Sequence, residues 1–322
     1  MFGKIPANRA QKIGFLLMPD FSMIAFTACI EPLRAANRLS RKPLYEWQTL
    51  SVDGESVTAS NKVTITPDNA CVNAHDCDVI FVCAGLRPAR FLDQSLRGEL
   101  RGFSLRGTHL GAVCTGSEAL AYAGLLTGYR CTIHWENIET FKEVYPSLNI
   151  TATLFEIDRN RYTCSGGTAP IDMMIHGIKL DHGEVLALNV AEQLLHNFIR
   201  EPHDNQRMAI EHRTGIHHPK LLASIGYMEV HIEQNMSLEK LAETVGLSLR
   251  QLERLFKTQL NTTPGKYYLN LRLERARHFL RQTKMSVTEI SLATGFNSAS
   301  NFSRSYRTHY GHTPNHERTP TV

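Results

Sequence analysis

A cysteine that leaves a strand on its way into a helix is the residue of this chain best placed for covalent chemistry. In Gly111-Ala112-Val113-Cys114-Thr115-Gly116-Ser117 an apolar run gives way to small polar residues at Cys114. The pattern puts the thiol on a sharp turn at a strand end, with the next backbone amides at a helix N-terminus, as in a nucleophile elbow. A thiol attacks only when a base, a cation or a helix end lowers its pKa. Thr115, the next residue, is no base. The neighbouring residue types suit binding instead. The Thr115 and Gly116 amides would favour a carboxylate, and Gly85, which ends the run Phe81-Val82-Cys83-Ala84-Gly85, lets backbone approach closely. Trp135, with Phe21 beside it, offers an aromatic face to a trimethylammonium or guanidinium group, worth about 0.5–2 kcal/mol. His134 bonds either the ligand or the backbone, and Glu31 and Glu136 either balance a cation or are solvated. The set fits a small zwitterion. The alternatives are that Trp135 is core, that Phe21 only caps the first helix, and that Cys114 catalyses.

A second chemistry is written twice. Met236 to Gly246 (MSLEKLAETVG) is answered by Met285 to Gly295 (MSVTEISLATG), and beyond the glycines Leu252, Arg254, Phe256 and Pro264 match Phe302, Arg304, Tyr306 and Pro314. Each copy predicts a helix, a glycine turn and an amphipathic helix. Ser248 stands three residues before Gln251, and Ser286 three before Glu289, the spacing of a capping box. At about 100° per residue, Leu252, Leu255, Phe256 and Leu260 share one face and Arg250, Arg254 and Lys257 the other. In the repeat Phe302, Tyr306 and Tyr310 face inward and Ser300, Arg304 and Arg307 outward. From Arg250 to Arg307 there are eleven Lys or Arg against three Asp or Glu. Such an excess is the footprint of phosphate contact. Arg272, Arg275, Arg277 and Arg281 lie on the helix between the copies, where internal ion pairs, for instance with Glu274 or Glu253, are expected to take some of them.

Residues 225–318, with Leu271-Arg272-Leu273-Glu274-Arg275-Ala276-Arg277, Gly295-Phe296 and Gly311-His312-Thr313-Pro314, resemble the DNA-binding domain of the AraC/XylS family of transcription regulators. The resemblance implies two recognition helices on a rigid linker helix, entering successive major-groove segments. By position it carries over Arg250, Glu253 and Arg254 in the first copy, and Ala299, Ser300, Asn301, Ser303 and Arg304 in the second; the outward-facing Lys257 and Arg307 join them as candidate DNA contacts. Arg250 and Arg254 are the foremost base readers.

The chain of 322 residues suggests two domains, and 42% hydrophobic residues can build cores for both. Charge divides between them: residues 217–322 hold 14 Lys or Arg against 8 Asp or Glu, and residues 1–216 hold 21 against 23. Only the C-terminal part is built for nucleic acid. There is no apolar stretch of about 18 residues and no signal peptide, so a cytoplasmic protein without a membrane partner is expected. Seven cysteines, Cys29, Cys71, Cys77, Cys83, Cys114, Cys131 and Cys164, form no C-x-x-C pair, which argues against a disulfide framework or a zinc site. None of the fifteen histidines forms a helical H-x-x-x-H ligand pair with a carboxylate at the right spacing, so no metal is expected.

The first domain alternates strands and helices: Lys12–Met18, Trp47–Ser51, Asp78–Cys83 and His109–Val113 as strands, Ile24–Leu39 and Arg90–Arg101 as helices. Alternation of this kind means an open, mostly parallel sheet covered on both faces, with ligands at the carboxyl ends of its strands. Ile150–Ile157 and Arg161–Cys164 read as a hairpin, Pro170–His182 and Glu184–Ile199 as closing helices, and the polar stretch from Glu201 to Pro219 as a linker. Residues 12–185 resemble the PfpI-like, class I glutamine amidotransferase-like superfamily, in which a cysteine at this position is often catalytic. Here Thr115 stands where proteolytic relatives carry histidine, and the acid they place early in the first helix falls near Ala25, with Glu31 nearly two turns later.

The phrases Glu31-Pro32-Leu33-Arg34-Ala35-Ala36-Asn37, Cys114-Thr115-Gly116, His134-Trp135-Glu136-Asn137 and Ser165-Gly166-Gly167-Thr168-Ala169-Pro170 are similar to the GlxA-type subgroup of AraC regulators. The resemblance implies a flavodoxin-like α/β sensing domain over residues 1–200, a linker over 201–219 and an all-α DNA-binding domain over 220–322. It implies an activator of a catabolic operon that responds to arginine, carnitine or a betaine. Its partners would be operator DNA, RNA polymerase, a small-molecule inducer and a second copy of the chain; no cofactor and no enzymatic activity are expected. The competing expectation is an amidotransferase-like or hydrolase-like enzyme that uses Cys114 and carries a DNA-binding appendage.

Overall fold

Near-continuous apolar runs such as residues 13–17 and Val79–Cys83 must be covered on both faces, and they form the centre of the sheet. The computed structural model describes residues 9–234, 236–283 and 285–318. The chain divides into two units, Met1–Gln206 and Arg207–Val322.

In the first unit the strands are β1 (Gln11–Leu17), β2 (Tyr45–Ser51), a small hairpin of β3 (Val57–Thr58) and β4 (Thr64–Ile65), β5 (Asn69–Ala70), β6 (Val79–Cys83), β7 (His109–Val113), a side pair of β8 (Arg130–Cys131) and β9 (Asn149–Ile150), then β10 (Phe155–Asp158) and β11 (Arg161–Cys164). Seven of them form one sheet in the order β10-β11-β7-β6-β1-β2-β5, parallel throughout except for β10. This is the doubly wound, flavodoxin-like arrangement, and its order reverses beside β1. Side chains alternate between two cores as the pleat requires. Phe15, Leu17, Phe81 and Cys83 meet α1 (Met23–Ser40), α5 (Ala169–His182) and α6 (Glu184–Gln193). Leu16, Ile80, Val82, Leu110 and Ala112 meet α2 (Gln94–Leu105), α3 (Ser117–Tyr122) and α4 (Ile138–Val144).

Three expected elements are shifted or cut short, each for a local reason. The helix expected from Arg90 starts at Gln94, because Asp93 accepts the Leu96 amide at 2.8 Å and sets the cap there. The strand expected over Ile150–Ile157 is broken between β9 and β10, where the Thr132 hydroxyl donates to the carbonyls of Thr151 and Thr153. The helix expected to reach Ile199 ends at Gln193, and Leu195 takes a left-handed φ of 53°.

The second unit is helical: α7 (Ile210–Thr214), α8 (Pro219–Val230), α9 (Leu238–Thr244), α10 (Leu249–Leu260), α11 (Pro264–Gln282), α12 (Val287–Ala293), α13 (Ala299–Tyr310) and α14 (Pro314–Arg318). Two cores share α11. Tyr268 joins Leu221, Ile225, Leu241, Leu252 and Phe256, while Leu273, Ala276, Phe279 and Leu280 join Ile290, Phe302 and Tyr306. The segment expected as a linker, 201–219, is divided between the units: Pro202, Asn205 and Gln206 are bonded to Leu154, Thr153 and Thr132, and α7 packs on α8 with Arg213 paired to Glu229 at 3.2 Å.

Arg277 and Arg281 of α11 pair not with the expected Glu274 or Glu253 but with Glu317 of α14, at 3.1 and 2.6 Å. The same buried carboxylate accepts from Tyr306 Oη at 2.8 Å and His312 Nε2 at 2.6 Å. Burial works against its charge, but these donors prevail and hold the carboxyl down at about 2. Because the pKa is lower folded than unfolded, the node contributes its full stability above about pH 4.5 and loses it as pH falls toward 2. Glu317→Gln should therefore flatten the loss of helicity between pH 4.5 and 2, followed by circular dichroism in urea; an unchanged slope would show that the node does not couple protonation to folding.

Gly116 has an ordinary φ of −59°, but a Cβ there would stand 2.2 Å from the Val82 carbonyl oxygen. Gly116→Ala should cost about 2 kcal/mol or more through overpacking. Trp47 and Trp135, the chain's two tryptophans, both lie in the first unit, so fluorescence-monitored urea melting reads this unit directly. A midpoint equal to wild type would mean that the β6 backbone gives way freely.

Candidate functional site

The basic faces are held by helices that start where the serines dictate. Ser248 and Gln251 form both bonds of a capping box at α10, Ser286 and Glu289 do so at α12, and Ser298 accepts the Asn301 amide at the start of α13. Gly246 and Gly295 make the turns with φ of 65° and 73°. Leu252 and Phe256 of α10, and Phe302 and Tyr306 of α13, are buried, which fixes the opposite faces outward. Arg250, Glu253, Arg254 and Lys257 are exposed on α10, as are Ser300, Asn301, Arg304 and Arg307 on α13; Ser303 and Ala299 are half-buried. Among the linker-helix arginines, Arg277 and Arg281 are engaged by Glu317, and Arg272 donates to the Gln234 carbonyl and stacks on Tyr268 at 4.3 Å. Arg250, Arg254 and Lys257 on α10 and Arg304 and Arg307 on α13 present their cations outward, as do Lys240 of α9 and Lys266 of α11.

In the first unit Cys114 stands between β7 and α3 with φ of 59°, a left-handed conformation rarely taken outside glycine. The elbow expected from the sequence is present. Its thiol is not activated: burial pushes it up to about 12, the nearby Glu136 carboxylate adds to the rise, and the Thr115 N–H opposes them without prevailing. The Gly116 N–H donates to the Val113 carbonyl at 3.0 Å, so it is not free for a carboxylate as expected.

Around the thiol, the His134 N–H donates to the Cys114 carbonyl at 3.2 Å, and a Cβ on Gly166 would come within 2.7 Å of the His134 ring and 3.1 Å of Cys114 Sγ. Three segments thus converge. Burial lowers the His134 pKa, keeping the ring neutral, while its Nδ1 accepts the Glu136 N–H at 3.4 Å, which leaves the proton on Nε2. The Trp135 ring lies 5.6 Å from that of His134 and is 37% exposed, with Glu136 exposed beside it. Thr115 donates its hydroxyl to the Gly85 carbonyl at 2.7 Å. Gly85 in turn pairs with Phe21 in a β-bridge, so close that a Cβ would meet the Asp20 carbonyl at 2.2 Å.

Two expected ligand residues are elsewhere. Phe21 is fully buried, edge-on to Phe26 at 5.7 Å, because the Gly85 bridge turns it into the core. Glu31 lies more than two turns into α1, half-exposed and paired with Arg34 at 2.7 Å. Glu118 is an addition. It sits in the first turn of α3, and burial raises its carboxyl to about 7. With Asn137, Thr140, Phe141 and Tyr145 it lines a small cleft where Asn137 Nδ2 and Thr140 Oγ1 are buried without partners. Its sequence signal was one acid directly ahead of the run Ala119-Leu120-Ala121. All seven cysteines are free and buried, and among the described residues no cluster of three or more His, Cys, Asp or Glu could hold a metal and no helix is long and apolar enough to cross a membrane.

Known proteins share both units. The DJ-1/PfpI family profile matches residues 11–180, and a helix-turn-helix domain profile matches residues 241–319. The HTH-type transcriptional regulator GbdR of Pseudomonas aeruginosa is 45% identical over 317 residues, covering 98% of this chain and 86% of that protein. The regulator CdhR of the same species is 46% identical over 309 residues, covering 96% and 92%. The crystal structure of an AraC family transcriptional regulator from Pseudomonas putida superposes with a TM-score of 0.52 and 28% identity over 57% of this chain and 99% of that one. With its paired capped recognition helices and its DJ-1/PfpI unit, the chain belongs to the AraC family of HTH-type transcriptional regulators.

Proposed function

We propose that this regulator activates a catabolic operon when its first unit binds a small nitrogenous zwitterion of the arginine, carnitine or betaine class at the Cys114 elbow, without turning it over. The observation that carries the reading is the pairing of a protonated, buried thiol with an exposed aromatic and an exposed acid. A thiol held at about 12 supplies no thiolate at neutral pH, so the elbow positions rather than attacks. Trp135 and Glu136 suit a quaternary ammonium or guanidinium group, and the Nε2–H of neutral His134 suits a carboxylate. The resemblance to the GlxA-type subgroup points to the same ligand class. The reading is completed by a dimer on paired operator sites that contacts RNA polymerase, in the cytoplasm where both are found.

Two outcomes test it. Titrating the full-length protein with glycine betaine, L-carnitine and L-arginine should give saturable binding to at least one. Trp135→Ala should weaken that binding by about two- to thirtyfold. Cys114→Ser should keep it, because the turn and its amides stay in place. If Cys114→Ser abolishes the response and mass spectrometry finds a covalent adduct on wild-type Cys114, the enzyme reading replaces this one.

On DNA, with a duplex selected by the protein from a random pool, Arg254→Ala should cost about 1–3 kcal/mol and relax discrimination at one base step, with a smaller loss for Arg304→Ala. Gel-shift titration of both variants decides this; wild-type affinity in each would mean that these helices do not enter the groove.

A further inference from the structure

The segment between α6 and the end of the first unit runs over the two loops that build the Cys114 elbow and is hydrogen-bonded to both. At its start, Asp172 of α5 is fully buried and accepts from His196 Nε2 at 2.7 Å, from the Arg200 N–H at 2.8 Å and from Arg200 Nε and Nη2 at 2.9 and 2.6 Å. Arg200 Nη2 also donates to Thr168 Oγ1 at 2.9 Å, two residues beyond the Gly166 that faces Cys114. Further on, the Leu154 N–H donates to the Pro202 carbonyl at 3.0 Å and Asn205 bridges to Thr153.

The segment ends at Gln206, the last residue of the unit. Its amide nitrogen reaches the Thr132 hydroxyl at 3.0 Å, the Ile133 carbonyl at 3.0 Å and the Thr153 carbonyl at 2.7 Å. Ile133 is the residue before His134, and the Thr132 carbonyl accepts the hydroxyl of Ser117 at 2.7 Å, three residues beyond Cys114. A continuous polar chain therefore runs from the turn after Cys114 through Thr132 to Gln206. The other side of the same amide, Oε1, is buried with no partner. A buried acceptor left unpaired costs free energy, so a shift of the 132–134 loop that paired it would be favoured. Arg207, the next residue, opens the DNA-binding unit.

We propose that the strap over residues 194–206 carries the state of the Cys114 site to the DNA-binding unit, with Gln206 as the positioning residue that reads the 132–134 loop. The inference rests on the sensing function proposed above. An allosteric link requires an element whose arrangement differs with ligand and that both sites bias. The strap is bonded to both pocket loops, and it is the covalent lead into the second unit.

The test uses the full-length protein, with Gln206→Ala and, as a variant of similar length that lacks the amide, Gln206→Met. Glycine betaine, L-carnitine and L-arginine are each titrated with and without the selected duplex, and the duplex with and without each compound. In the wild type the bound compound should change duplex affinity about fivefold or more; in both variants each partner should still bind while the coupling falls below about twofold. Full coupling in both variants overturns the strap and leaves the sensing reading standing. If none of the compounds binds the wild type, the sensing reading fails, and hydrogen exchange of the peptides covering 130–137 and 163–169 judges the strap alone. A change in their exchange on adding duplex to the wild type, absent in both variants, supports it. No change in the wild type, or an equal change in the variants, overturns it.

Discussion

The carboxylate of Asp172 is fully buried, and an anion in that position persists only where donors surround it. Four hydrogen bonds from His196 and Arg200 meet the requirement, and they come from chain lying beyond the end of α6. Through these bonds Asp172 holds the backbone that leaves the helix after Gln193 against α5, with Arg200 in reach of Thr168. The shape of the elbow follows from this one interaction as much as from the sheet, since the loop holding Gly166 and Thr168 is tied from outside by Arg200 and from inside by Cys114, whose N–H donates to the Ser165 carbonyl at 3.2 Å. A binding site made of strand ends is held at its rim by a charge pair.

The elbow itself shows how one backbone geometry serves unlike purposes. A left-handed φ at Cys114 carries strain, and strain is retained where the surroundings over-determine it. Here they do: Cys164 and Ser165 take the cysteine N–H, His134 takes its carbonyl, and the Gly116 N–H closes the turn onto Val113. What the site lacks is the electropositive neighbourhood that would ionise the thiol. His134 is neutral, Glu136 is negative, and burial acts against the thiolate. The turn is tied down on every side, while burial and Glu136 raise the pKa of its thiol.

Much of this was legible in the chain because its signals are local. Apolar runs of five to seven residues mark β1, β6 and β7, and serines three residues ahead of Gln251 and Glu289 mark two helix starts, so that sheet, helices and basic faces follow from near neighbours. The failures are of another kind. Phe21 reads as a free aromatic until the Gly85 bridge, sixty-odd residues away, turns it inward. The strand over 151–154 is broken by a hydroxyl at Thr132, and the fate of Arg277 and Arg281 is decided by Glu317 in the last helix. Gln206 was invisible for the same reason: it lies in a polar stretch, and its partners Thr132 and Ile133 stand 74 and 73 residues earlier. Periodicity finds what a residue's own element does with it, and not what a distant loop does.

The sharing of α11 between two cores has a consequence for inheritance. The repeat reads as two interchangeable modules, yet neither owns a complete interior: Tyr268 closes the first and Phe279 the second from one continuous helix. A cooperative unit is defined by the contacts that must break together. On that definition the two reading heads form one unit, so recombination could not trade one head for another without also replacing half of the helix they have in common. Duplication supplied two copies of a sentence, and α11 has since made them inseparable clauses of it.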